Sequence, residues 1–152
     1  NKDKVLKNGT VSQKFANEVV AEIPIDIQTN QLDRKTVIMF DIIANNNWDR
    51  PIYFSAGDVS DGALLWLKDY LQLSGLVYKL VPLKSNIKPN GDPFNIGTID
   101  SEKLYKTVTN WYWGNFDSPD IYHDPQTRKE ALMFKIQLRR LAEQLIIEVQ
   151  FD

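Results

Sequence analysis

The sequence predicts an α/β fold with a small, mainly parallel sheet of at least three strands in the order βαβαβ, helices packed on it and a long C-terminal helix. Strand-like and helix-like segments alternate through the first half of the chain, and this alternation is typical of parallel strands joined by right-handed crossovers. The 152 residues, 43% of them apolar, suffice for one sizeable core. We therefore expect residues 1–152 to form a single soluble domain.

The first predicted strand follows a polar, lysine-rich lead-in. Ile23, Ile25 and Ile27 alternate with polar residues or proline, which is the pattern of a strand with one face in water. Pro24 has no N–H group to donate to a neighbouring strand. We therefore place this strand at an edge of the sheet.

The next helix and strand join the most apolar segment of the chain to its best strand signal. Residues 37–44 are apolar on nearly every side except at Asp41, which indicates a segment enclosed by other elements but fits a buried helix and a central strand equally well. We predict a helix over residues 34–45, because this length is long for a strand and Asp33 is a plausible N-cap. The second strand begins at Pro51 and continues through residues 52–54, which are β-branched or aromatic. Its only proline stands at the opening position, so we expect it to be the central strand.

A second crossover helix and a third strand complete the predicted sheet. Leucines recur at helical spacing over residues 64–73, and Gly75 follows as a stop signal. Residues 76–83 then alternate as a strand that Pro82 closes. An acidic, turn-rich loop over residues 55–62 precedes the helix.

Two more helices are predicted in the C-terminal part. Asp100 is the expected cap of a short helix that carries Leu104 and Val108, and Asp124 followed by Pro125 is typical of a helix start. The last helix has the clearest apolar stripe in the chain, at three-and-four spacing. That stripe comprises Ala131, Phe134, Leu138, Leu141, Ala142, Leu145 and Val149.

Composition limits the classes of function. The net charge of −2 gives no reason to expect a nucleic acid as partner. Neither Gly-rich phosphate motif occurs, there is no cysteine, and His123 is the only histidine. We therefore expect no cofactor, no metal ion and no catalytic residue in this chain.

The candidate binding residues are aromatic. Trp111, Trp113, Phe116 and Tyr122 lie close together in the sequence, and amphipathic rings favour half-wet sites such as sugar-stacking or partner surfaces. The alternative is a minor core between the last two helices. Trp48 and Arg50 form a second candidate binding site.

Three segments carry a resemblance to a known family. They are MFDIIANNNWDRPIYFS (39–55), LKDYLQLSGLVYKLVPLKS (67–85) and RRLAEQLIIEVQFD (139–152). Together they resemble the C-terminal soluble portion of a family of large Bacteroidetes membrane proteins, family 2723 of the domains of unknown function. Members of that family look like lipid-linked-sugar glycosyltransferases of the protein O-mannosyltransferase type. The likeness is best over about residues 35–85.

The resemblance implies a place and a partner. It implies a piece of a longer protein, at the extracytoplasmic (periplasmic) face of the bacterial inner membrane, next to the membrane-spanning part of the same polypeptide. Any catalytic carboxylate would lie in that membrane-spanning part. The resemblance thus implies a non-catalytic module that assists the binding of a glycan or protein acceptor, or of another partner. The alternative is a stand-alone small enzyme or carbohydrate-binding domain.

Overall fold

A computed structural model describes residues 2–27, 29–55, 66–86, 95–116 and 118–151. The helices are α1 (Lys2–Lys7), α2 (Arg34–Asn46), α3 (Ser101–Thr109) and α4 (Pro125–Phe151), with short 3-10 helices at Gln13–Glu18 and Lys68–Tyr70. The strands are β1 (Tyr53–Ser55), β2 (Leu71–Ser74), β3 (Val77–Leu80) and β4 (Thr98–Ile99). The predicted acidic loop lies outside the described residues except at Ser55.

The sheet is mixed, in the order β1-β3-β2-β4. Strand β3 pairs antiparallel with β1 and with β2, whereas β2 and β4 pair parallel. The prediction of a mainly parallel βαβαβ sheet is therefore wrong. The predicted central strand, β1, lies at an edge, and the predicted third strand, β3, lies inside the sheet between β1 and β2.

The error begins at residues 64–73, where a helix was predicted. Its described part forms a 3-10 turn and then β2, in which Leu71 and Leu73 face the same side as Leu80 and Tyr78 of β3. Gly75, with φ of 67°, is in the two-residue turn of the β2–β3 hairpin. Glycine with positive φ suits such a turn as well as it suits the end of a helix.

The first predicted strand is also absent from the described sheet. Around it, the described backbone makes one isolated bridge, between Val19 and Leu83, and residues 22–27 belong to no helix or strand. Pro24 cannot donate a ladder bond. The alternating residues Ile23 and Ile25 instead pack their side chains against the main core.

Helix α2 begins where it was expected but is not enclosed. The Asp33 side chain accepts a hydrogen bond from the Thr36 amide at 2.8 Å, as an N-cap should. Only Thr36 is buried, and Asp41 lies on the exposed side, where Asn45 donates to its carboxylate. Val37, Ile38 and Ile42 are each about half exposed. The N-cap and the length of the segment thus predicted the helix, but the apolar run did not show how much of its surface would be buried.

The two predicted caps of the last helices are present. Asp100 caps α3, and Asp124 accepts hydrogen bonds from the amides of Gln126 and Thr127 at the start of α4. The main core joins both helices to the sheet through its buried side chains. These are Leu67, Tyr70, Leu71, Leu73, Tyr78, Leu80, Ile99, Leu104, Val108 and Leu141.

A second, smaller core holds the N-terminal segment. Val5 and Val11 are buried against Val81 and Leu83, which follow β3. Trp48 packs against both cores, so it links the N-terminal segment to the main body of the domain.

Candidate functional site

Aromatic side chains after α3 line a pocket against α4. The pocket has a volume of about 410 Å³ and is mostly apolar. The Trp111 ring meets the Trp113 and Phe134 rings edge to face, with centroids 5.4 Å apart in both pairs. Such pairs add about 0.5–1.5 kcal/mol beyond the area they bury. The cluster is therefore both a small core and the wall of a pocket.

The outer rim of this aromatic pocket is exposed. Trp113 and Phe116 are 45% and 42% exposed, so their rings can contact a ligand. Phe116 stacks on His123 with centroids 4.3 Å apart. Tyr122 does not line the pocket and is 79% exposed. The structure thus brings together three of the four aromatic residues selected from the sequence.

A second cavity, of about 680 Å³, is lined in part by Trp48, the third tryptophan selected from the sequence. It lies between α2, the segment 19–27 and the sheet, with Trp48, Phe40 and Leu80 in its wall. Arg50 does not line it, and the Arg50 carbonyl accepts a hydrogen bond from Asn46. The structure therefore does not bring Arg50 into the wall of the cavity that Trp48 lines.

The backbone that positions Trp48 is strained. Asn47 and Trp48 have φ of 46° and 61°, in the left-handed region where a bulky residue is an outlier. Polar groups of α1 and the turn after it hold this conformation: Lys4 donates to the Asn47 carbonyl at 2.6 Å and Asn8 to the Trp48 carbonyl at 2.8 Å. Lys4 also pairs with Asp49 at 2.7 Å. These contacts fix the indole in the cavity wall.

Several wall residues of both pockets were not predicted from the sequence. The sequence predicted Phe134 and Leu138 only as part of the apolar stripe of α4, and the isoleucines of segment 22–27 only as part of a strand. Spacing predicted that these side chains are covered but not that space remains beside them. Nothing in the sequence alone distinguishes the two cases.

The pockets contain little that could perform acid-base chemistry. Lys135 and Lys2 are the charged residues among the described linings of the aromatic pocket and the larger cavity. Within the described ranges, no three His, Asp or Glu side chains converge where a metal ion would bind. The arrangement is suited to holding an apolar or ring-bearing ligand.

The structure is thus a mixed α/β domain with an aromatic pocket and a larger apolar cavity. The family model described as TMEM260-associated domain 2 matches residues 1–103 of the 152, and the chain belongs to that family. The domain is thus one associated with a membrane protein. The comparisons with curated proteins and with solved structures gave no match.

The family agrees with the sequence resemblance at a coarse level only. Both put this domain with a membrane protein, but the matching model is not that of family 2723 and names no activity. In the part of the chain that the structure describes, no helix is both long and apolar enough to cross a membrane.

Proposed function

We propose that this domain is a non-catalytic extracytoplasmic module of a glycosyltransferase-like bacterial membrane protein, which assists the binding of the acceptor. On this proposal the domain faces the periplasm and works beside the membrane-spanning part of the same polypeptide. Membership of a membrane-protein-associated family supports the partnership. The activity and the location rest on the resemblance to family 2723.

The observation that carries the binding role is the aromatic pocket. Trp113 and Phe116 line it and are each a little under half exposed, while Trp111 and Phe134 pack against Trp113. A pyranose ring has one face of C–H groups, which can pack on an aromatic face while its hydroxyl groups stay in water. Lys135 lies beside the pocket as a hydrogen-bond donor. We therefore propose a glycan on the acceptor as the group that is bound.

A titration tests this site. Methyl α-D-mannopyranoside and α-1,2-mannobiose are added to the ¹⁵N-labelled chain, and shifts are expected at the indole N–H groups of Trp111 and Trp113. Trp113→Ala should weaken binding roughly tenfold, or about 1.4 kcal/mol, as expected for loss of one stacking ring. Tyr105→Ala is the control, because Tyr105 is also exposed but lies on α3 outside the pocket.

A filling substitution gives a second measurement. Ala131→Trp should occupy the pocket and abolish the shifts, whereas Ala142→Trp, on the same helix outside the pocket, should not. Shifts restricted to other parts of the chain, or no shift at any sugar concentration, would show that the pocket does not bind a glycan.

The non-catalytic part of the proposal has a separate assay. The chain alone is incubated with a lipid-linked mannose donor and a serine- and threonine-rich peptide, and we expect no transfer and no hydrolysis. Turnover by the chain alone would contradict this part. A reading frame with apolar spans upstream of Asn1 would support the membrane partner, and its absence would favour a stand-alone carbohydrate-binding domain.

A further inference from the structure

The larger cavity, the one that contains Trp48, is not explained by glycan binding. Its wall is mainly aliphatic, with isoleucines 23, 25 and 27 on one side and Phe40 and Ile43 of α2 on another. Few polar groups in this lining could bind the hydroxyl groups of a sugar. Apolar walls with one or two polar groups are typical of sites for apolar ligands.

The size of the cavity indicates a long ligand. A cavity of ~150 Å³ lined by aliphatic side chains holds benzene, whereas this one has a volume of about 680 Å³. It therefore has room for an apolar chain of more than ten carbons. The wall is also fixed in advance, because α1 and the following turn hold the strained backbone at Asn47 and Trp48. Strain of this kind clusters at ligand sites.

The charge at the cavity indicates the end group of the ligand. Lys2 is the one charged residue among the described residues that line it. Lys4, on the same helix, is already paired with Asp49. Lys2 has no ion-pair partner among the described residues. We propose that this cavity binds a single-chain anionic amphiphile, with its apolar chain against Trp48 and its anionic end beside Lys2.

The test uses alkyl carboxylates below their critical micelle concentrations. Dodecanoate is titrated into the ¹⁵N-labelled chain, and the indole N–H signal of Trp48 should shift with saturation at one equivalent. Decanoate and octanoate should bind progressively more weakly, by roughly threefold to fourfold per methylene removed. Dodecyltrimethylammonium, with the opposite charge, should bind at least tenfold more weakly than dodecanoate.

Two pairs of variants locate the site. Ala44→Trp, which fills the cavity, should weaken dodecanoate at least tenfold, whereas Ala142→Trp on α4 should leave it unchanged. Lys2→Glu should weaken dodecanoate but not dodecanol, whereas Lys7→Glu on the same helix should weaken neither. Because Lys2 is exposed, its substitution tests the site even if the filled variant does not fold.

The proposal would be overturned by the absence of any Trp48 shift with dodecanoate, by equal affinity for the cationic and the anionic amphiphile, or by unchanged binding after Ala44→Trp. Binding to lipid vesicles without binding of monomeric dodecanoate would also contradict it, because it would show a membrane-surface contact rather than an occupied cavity.

Discussion

The carboxylate of Asp100, whose side chain is 3% exposed, lies 2.9 Å from the amino group of Lys14. Ser12 also donates a hydrogen bond to this carboxylate, and the Lys103 amide donates to it at the start of α3. Burial is the largest single influence and raises the pKa of Asp100. The hydrogen bonds from Ser12, Lys14 and Lys103 together with the charge of Lys14 outweigh it and hold that pKa below 3.8.

Asp100→Asn should lower the stability of the domain. A carboxyl whose pKa is lower in the folded state stabilises the fold above its unfolded pKa of 3.8, and this stabilisation disappears as the pH falls through the folded pKa. We expect a loss of about 1–3 kcal/mol at pH 7 that shrinks below pH 4. Urea unfolding across pH 2–7 measures it. An equal loss at every pH would mean that the negative charge of Asp100 does not contribute to the stability of the fold.

Lys79→Met should raise the stability of the domain. Lys79 is 7% exposed, and burial, with repulsion from Lys103, lowers its pKa from 10.5 to about 8 despite the attraction of Asp100. At pH 7 the folded protein must bury a cation, so removing it should stabilise the fold by about 1–3 kcal/mol, at 1.36 kcal/mol per pKa unit.

The gain from Lys79→Met should disappear between pH 8 and 10.5. In that range the folded wild-type protein loses the proton while the unfolded chain keeps it, so the stability of the wild type rises. Lys84→Met, at an exposed position nearby, is the control for loss of a charge. A variant less stable than wild type at pH 7 would contradict the prediction.

Gly97→Ala should be among the most damaging single substitutions. Gly97 has φ of 69°, and a Cβ there would overlap the Leu71 carbonyl oxygen, just before β4 pairs with β2. Backbone must move, so we expect a cost of about 3 kcal/mol or more. Gly114 has a similar φ of 60° but nothing within 4 Å, so Gly114→Ala should cost only about 1 kcal/mol. Thermal melts of the two variants compare them, and equal losses would contradict the close contact.

Gln137→Met should raise the stability of the domain. The Gln137 side chain is 1% exposed, and neither its amide nitrogen nor its oxygen has a hydrogen-bond partner among the described residues. A buried unpaired polar group costs about 1–3 kcal/mol, and methionine has a similar shape without that cost. Urea unfolding should show a gain of about 1–2 kcal/mol. Gln126→Met, at an exposed position of the same helix, should change little.

Local chemistry made the helix starts predictable. Asp33, Asp100 and the pair Asp124-Pro125 cap their helices through groups within a few residues, so the sequence contains the whole interaction. The sheet depends on pairings between distant segments. The leucines of residues 64–73 and the glycine that follows fit a helix with its stop as well as a strand with its turn, and only the partner strand decides between them.

The distinction between local interactions and contacts of distant segments also applies to the candidate site. Trp111, Trp113 and Phe116 were found because they are close in sequence, and the structure places all three around one pocket. Trp48 and Arg50 are also close in sequence, but the left-handed turn at Asn47 and Trp48 directs only the indole into the larger cavity. A backbone conformation held by Lys4 and Asn8, 40 or more residues away, cannot be predicted from residue spacing.

The long-range hydrogen bonds that hold the N-terminal segment also affect how the domain folds. Ser12 and Asp100 are 88 positions apart, and Lys103 donates to the Gly9 carbonyl across 94 positions. Contacts of this span close large loops. The chain loses conformational entropy when such a loop closes, and this loss precedes any stabilisation by the contacts. We therefore expect the β2–β3 hairpin to form early and residues 2–18 to dock late. During equilibrium fluctuations, the same segment should open first, so its amides should exchange with deuterium faster than those of β3.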